Sequence, residues 1–202
     1  MAVAATDVTS ESLTAQFRPR LFTVDDIEGM VRSGILHHGE RVELIEGQIV
    51  EMHAMGTRHI WAVNRLCRIF NRRDDVQVSP QNTLELHDHS GPEPDIVVLP
   101  VSVSEAHRPT AGDTLLVVEV ADTSLVYDRQ TKGPLYARAG VPEYWLVDLN
   151  DERIEQYREP SAAGYRAMHL FLRGETLSPV FAPDLTVQVD DVLGPPATPA
   201  TD

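Results

Sequence analysis

A glutamate stands inside a run that otherwise has the length and composition of a covered strand, Leu115-Leu116-Val117-Val118-Glu119-Val120. Continuous apolar runs of this kind are central strands packed on both faces. An ionised carboxylate is rarely buried there without a partner, because it gives up its hydration for nothing in return. The chain must therefore fold so that a cation reaches Glu119. Twenty-four residues upstream, Pro94-Asp95 opens a second run, Ile96-Val97-Val98-Leu99. Proline is tolerated at the start of a strand, which puts Asp95 at that strand's beginning. Two acids on neighbouring strands can face a common divalent ion, and hard oxygen donors suit magnesium or manganese.

The cation has one conspicuous candidate. The chain carries sixteen arginines and a single lysine, Lys132, thirteen residues after Glu119. Arginine stays protonated in proteins, whereas lysine is a compact ammonium whose pKa moves readily on desolvation. A chain with this bias had arginine available for any ordinary surface charge. Two acids and a nearby lysine form a phosphodiesterase-like constellation, set against the plainer reading of a solvated lysine on a helix turn.

Pro94-Asp95, Glu119-Val-Ala-Asp-Thr-Ser124, Asp128, Lys132, Tyr136 and Gly140-Val-Pro-Glu-Tyr-Trp-Leu-Val-Asp148 resemble the Uma-two family of restriction endonucleases, a branch of the PD-(D/E)XK nuclease superfamily. Val42-Glu43-Leu-Ile-Glu-Gly47 and His59 are similar to its upstream pattern, so the resemblance covers approximately residues 20 to 193. It implies an α/β, restriction-endonuclease-like fold with a mixed central sheet flanked by helices. It also implies a metal site on Asp95 and Glu119. One departure stands out: the superfamily's lysine lies two residues after the acid on the same strand, and that position here is Ala121. The branch is similar in having moved its lysine to the following helix, where Lys132 is the chain's candidate.

Length and composition bound the rest. With 202 residues, 42% of them hydrophobic, the chain holds enough material for one domain with a real core. We expect that domain over residues 17–193, with disordered ends at 1–16 and in the Pro-rich 194–202. Residues 1–16 lack the charged start and apolar core of a signal peptide. No apolar stretch approaches the ~20 residues needed to span a bilayer. A single cysteine, Cys67, permits no intrachain disulfide and suits a reducing cytoplasm; its helical apolar face points to a buried, inert thiol.

Net charge of −14 opposes a nucleic-acid partner, because phosphate binding draws on clustered cations. One helix is the local exception. Across residues 57–72, Arg58, Arg65, Arg68 and Arg72 fall on one stripe and His59, Val63, Leu66 and Phe70 on the other. The first stripe is either a solvated face or a rail for backbone phosphates; the second faces the core.

The remaining elements follow from caps, turns and alternation. Thr23 with Asp26 three residues on marks a helix start, and Gly34 a stop. Residues 41–45 and 48–52 alternate around the turn-compatible Glu46-Gly47, which predicts a hairpin. Strands are expected at 76–78, 83–86, 144–148, 153–158 and 165–171, and a helix over 128–139 that Pro134 interrupts or restarts. Further site candidates are Glu43, preferred over the turn residue Glu46, as an outer metal ligand or water holder. His59 is either a hydrogen-bond partner for a site carboxylate or a core histidine, and Tyr136 is either stacked over Lys132 or packed in the core. His87-Asp88-His89 adjoins Ser90-Gly91-Pro92 and reads as a polar loop.

The expected function is a metal-dependent endonuclease acting on nucleic acid, DNA foremost. Asp95, Glu119 and the Val120 carbonyl would hold magnesium or manganese, with Lys132 stabilising the transition state or orienting the water. A homodimer would pair two sites to cut both strands. The rival readings are a catalytically silent scaffold for binding or assembly and a metal hydrolase of a small phosphorylated molecule.

Overall fold

The computed structural model describes residues 18–37, 39–52 and 54–196. Its centre is a six-stranded mixed sheet in the order β3-β4-β5-β6-β7-β8. The strands are β3 (Val76–Ser79), β4 (Ile96–Pro100), β5 (Leu116–Ala121), β6 (Glu143–Asp148), β7 (Arg153–Ser161) and β8 (Gly164–Leu172). Only β5 and β6 pair in parallel, and every other neighbouring pair is antiparallel. A parallel pair needs a crossover, and here the crossover is the helical segment that carries Lys132. The mixed sheet flanked by helices is the architecture expected from the resemblance.

The hydrophobic period of each central strand sorts its side chains between two cores. Val118 and Val120 of β5 join Ile96, Val98, Trp145 and Val147 on one face, covered by α2 (Thr57–Phe70) through Ala62, Val63, Leu66 and Phe70. Val117 and Ala121 join Val97, Leu99, Tyr144 and Leu146 on the other, covered by Tyr136 from the crossover. Every residue of β5 is buried. Alternation therefore delivers Glu119 to the Tyr136 face, and burial on both faces explains why the run is continuously apolar.

Helix α1 (Val24–Ser33) begins at Thr23 with a complete capping box to Asp26 and ends at Gly34 in the left-handed conformation. The hairpin of β1 (Val42–Ile45) and β2 (Gln48–Glu51) turns through Glu46 and Gly47, both at positive φ, as a two-residue primed turn requires. Residues 83–86 form no strand, contrary to expectation. Glu85 and His87 make only isolated bridges, because the 81–92 segment folds back on itself, Leu84 to Pro92 and Leu86 to Ser90, and reaches a loop through Glu85 to Pro109. The His87-Asp88-His89 stretch is a turn that ties down α1 and the hairpin: the Asp88 carbonyl accepts from Val24, and the His89 carbonyl from Gly47.

The crossover comprises α3 (Leu125–Tyr127), a π turn (Asp128–Lys132) and α4 (Gly133–Arg138). Pro134 explains the change of winding. It has no N–H to give and its ring crowds the carbonyl four residues back, so the backbone widens and the Gly133 N–H reaches the Asp128 carbonyl instead. Beyond β8 the chain adds a small ladder, β9 (Thr176–Leu177) with β10 (Val187–Gln188), and α5 (Val189–Leu193), which packs against α2. Residues 1–16 and 197–202 lie outside the described residues. Gly194 lies within them, and its carbonyl accepts from Arg173. Cys67 is half-buried beside the α2 core, and burial raises its thiol pKa.

Candidate functional site

β4 and β5 pair with Ile96 opposite Val118, so one step further Asp95 meets Glu119. The Asp95 N–H donates to Glu119 Oε2 at 3.2 Å, and Asp95 Oδ2 accepts from the Val120 N–H at 2.9 Å. His59, in the first turn of α2, approaches the same Oδ2 with Nε2 at 2.9 Å. His59 is thus both buried and hydrogen-bonded to a carboxylate, which joins the two readings of it. Its Nδ1 finds no partner among the described residues. Gln81 Nε2 stands 3.5 Å from the remaining oxygen, Asp95 Oδ1.

The crossover supplies the cation. Lys132 Nζ lies 3.0 Å from Glu119 Oε1 and 3.0 Å from Glu43 Oε2, with all three side chains nearly sealed from solvent. Tyr136, one helical turn on, donates its hydroxyl to Glu119 Oε1 at 2.6 Å. Its role is thus a hydrogen bond to the acid in addition to core packing. Glu43 is fixed from two further sides, by the Tyr127 hydroxyl at 3.0 Å on Oε1 and by the Glu93 N–H at 3.3 Å on Oε2. The Tyr127 ring also lies 5.8 Å from Lys132 Nζ, within cation–π range.

A fourth buried acid, Asp128, belongs to the motif that carries the resemblance but was not among the site candidates read from the sequence. Asp128 accepts from the Ser124 hydroxyl at 2.5 Å and lies in the same charge field. The available signal was its position four residues before Lys132, a spacing that puts two side chains on one helix face. Tyr127 offered no such signal, because its neighbours show no periodicity. Glu46 is not brought in. It occupies the exposed turn and pairs with Arg138. The arginine stripe is divided. Arg58 donates to the Leu149 carbonyl at 2.7 Å and pairs with Glu152, Arg65 reaches the carbonyls of Val192 and Leu193, and Arg68 and Arg72 are exposed.

Electrostatics follow from burying several acids around one ammonium. Burial pushes the Glu119 carboxyl up to about 8, opposed by Lys132 and reinforced by Asp128 and Asp95. Burial likewise raises Asp128 to about 6, again opposed by Lys132. For Lys132, burial alone would favour the neutral amine, but Glu119, Glu43 and Asp128 outweigh it and hold the ammonium protonated well above its usual range. The cluster is therefore a fixed positive charge beside two acids, Glu119 and Asp128, that burial makes reluctant to ionise.

These groups line a half-enclosed cavity of about 660 Å³. Its other walls include Val50, Met52, Ala54, Met55 and Val126. Gly56 at the lip backs directly onto Asp122, where an added Cβ would sit 2.7 Å from Oδ2. A larger residue there would require the Asp122 carboxylate to turn aside.

A family model described as "Putative restriction endonuclease", Uma2, matches residues 27–190. The chain belongs to the Uma2 family. Among solved structures, one described as a "putative nuclease belonging to DUF820" from Anabaena variabilis shares the fold with this Uma2 chain at a TM-score of 0.66. It is 19% identical, and the match covers 85% of this chain and 97% of that one. No curated protein matches the chain significantly.

The donor chemistry fits a hard divalent cation. Glu43, Asp95, Glu119 and Asp128 offer oxygen ligands on a cavity open to water on one side, and magnesium prefers one or two carboxylates with several retained waters. Among the described residues, no three His, Cys, Asp or Glu side chains form a ready-made metal cage. That pattern is compatible with a site completed by backbone and water. Among the described residues, no helix is long and apolar enough to cross a membrane.

Proposed function

We propose that this Uma2 chain is a metal-dependent phosphodiesterase that hydrolyses nucleic acid, DNA foremost, at the Asp95, Glu119 and Lys132 cluster. The observation that carries the reading is the position of the chain's single lysine, whose Nζ is 3.0 Å from both Glu119 and Glu43 in the lining of a cavity. Magnesium or manganese, held by Asp95, Glu119 and the Val120 carbonyl, would supply a water of lowered pKa and shield the phosphate's charge.

The protein's own groups set the geometry. His59 and the Val120 N–H orient Asp95. Tyr136 and the Asp95 N–H orient Glu119, and Tyr127 and the Glu93 N–H orient Glu43. Lys132 faces the point where negative charge grows on the non-bridging oxygens, and a preorganised cation in a partly dry site stabilises that charge more than it would in water.

The test is hydrolysis of nucleic acid by the full chain with magnesium or manganese, beside Asp95→Asn and Glu119→Gln. Each variant removes ligand charge with little change in shape, so each should abolish metal-dependent cleavage and leave the fold intact. Net charge of −14 favours a second reading, a hydrolase of small phosphorylated molecules. A panel of phosphomonoesters and phosphodiesters separates the two. Undiminished manganese binding by both variants, measured by calorimetry, would remove these residues from the site.

A further inference from the structure

Resting on the phosphodiesterase reading above, we infer that the cavity takes one unpaired nucleotide of a single strand, with the phosphate toward the carboxylates and the base against the Met52, Met55 and Val126 wall. The size comes first. A volume of about 660 Å³ lies in the range of pockets that enclose one small-molecule-sized ligand. A sphere of that volume is about 11 Å across, less than the roughly 12 Å of a major groove alone. The acids lie deep: Glu43, Asp95, Glu119 and Asp128 are each at most 7% exposed. A paired nucleotide carries its whole duplex with it, whereas an unpaired one can enter alone, as in enzymes that take a base out of the stack.

The lining agrees. Val50, Met52, Ala54, Met55 and Val126 present an apolar surface beside the charged cluster, and methionine accommodates a flat ring through a polarisable, adaptable side chain. Val126 stands at 63% exposure, a large aliphatic residue held in solvent at the cavity's side. His59 leaves a buried ring nitrogen, Nδ1, without a partner among the described residues while lining the same cavity.

Charge supplies a third, independent argument. A duplex is normally gripped through many phosphates by free cations. Here Arg58 and Arg65 are spent on backbone carbonyls and Arg73, Arg108, Arg129, Arg153 and Arg173 on acids, so that of the arginine stripe only Arg68 and Arg72 stand exposed for a duplex. Recognition by burying a base, in place of tracking a phosphate backbone, suits a chain of net charge −14.

The experiment measures affinity by fluorescence anisotropy with the full chain, calcium replacing magnesium to slow hydrolysis. The probes are a short single-stranded oligonucleotide, its blunt duplex, and the corresponding mononucleotide as competitor. The single strand should bind at least about tenfold more tightly than the duplex. Val126→Trp should fill the cavity and remove that preference, whereas Val180→Trp, also more than half exposed but in a different groove, should leave it unchanged. Equal or tighter duplex binding, or an unaltered Val126→Trp, overturns the inference. A mononucleotide that displaces the strand at equal concentration reassigns the cavity to a small nucleotide and overturns the strand as its source. Magnesium-dependent cleavage of the duplex as fast as the single strand would overturn this inference and leave the hydrolase reading standing. Absence of both binding and cleavage removes both.

Discussion

Lys132 and Glu119 meet at 3.0 Å across the join between β5 and its crossover, each side chain 4% exposed. The ammonium is shared with Glu43 at the same distance, so one cation stands between two buried carboxylates. Lys132→Met keeps the stem and deletes that charge. Breaking a buried ion pair by removing one partner costs about 3–5 kcal/mol, and the loss should be greatest in alkaline solution, where Glu119 is ionised. Metal binding should persist or tighten, since a nearby cation opposes an incoming one. Turnover should fall by roughly 10² to 10³. Partial recovery in Lys132→Arg would identify electrostatic stabilisation, and none would identify a geometric or proton-transfer role. Full turnover in Lys132→Met would remove the lysine from the chemistry.

Stability of the metal-free protein should depend on pH through Glu119. Burial raises its carboxyl from 4.5 to about 8, so between those values the folded state binds more protons than the unfolded chain. Stability therefore falls as pH rises through that window. Asp128, raised from 3.8 to about 6, adds to the same slope at its acidic end. Glu119→Gln should flatten the upper part and melt higher than wild type at pH 8. Thermal melts across the window decide it, and parallel curves for the two proteins would contradict the assignment.

Tyr136→Phe removes one of three donors to Glu119 without changing the packing of a fully buried ring. A hydrogen bond to a charged group contributes about 1.5–3 kcal/mol. The variant should lose stability in that range at alkaline pH and much less below pH 4.5, where the carboxyl is protonated. Denaturant titrations at the two pH values test it. An equal loss at both would mean the ring, and not the hydroxyl, matters.

The arginine stripe should separate into two behaviours. Arg65 caps carbonyls at the end of α5, and its guanidinium lies against Gly194. Arg65→Gln should therefore lower stability by about 1–3 kcal/mol. Replacing exposed Arg68 and Arg72 together with Gln should leave stability unchanged. Neither change should alter the salt dependence of oligonucleotide binding. Flattening by about two in log-log slope in the double variant would restore a phosphate rail.

What could be read from the residues was mostly what burial forces. Glu119 in an apolar run needed a cation, Pro94 fixed Asp95 at a strand's head, and a single lysine identified the partner. Short-range chemistry was equally legible, as with the Thr23 cap and the Glu46-Gly47 turn. Residues 83–86 misled because their alternation is that of a strand while their backbone partners lie in loops. β9, β10 and α5 escaped because segments of two to five residues carry no period. The arginines of α2 share one stripe in sequence, yet only the tertiary fold reveals that Leu149, Val192 and Leu193 offer carbonyls to two of them.

The π turn bears on how such sites can be found at all. An α-helix turns about 100° per residue, and a π turn accommodates one residue more over the same stretch of helix. The direction in which Lys132 points is thus decided by winding as much as by its count from Glu119. Deleting one residue between Asp128 and Lys132, with a return to α winding, would shift the count and still aim a lysine at the acid. Relatives of this chain can therefore hold the same ammonium at the same carboxylate under different spacings, and a search that fixes the interval between acid and lysine will pass over them.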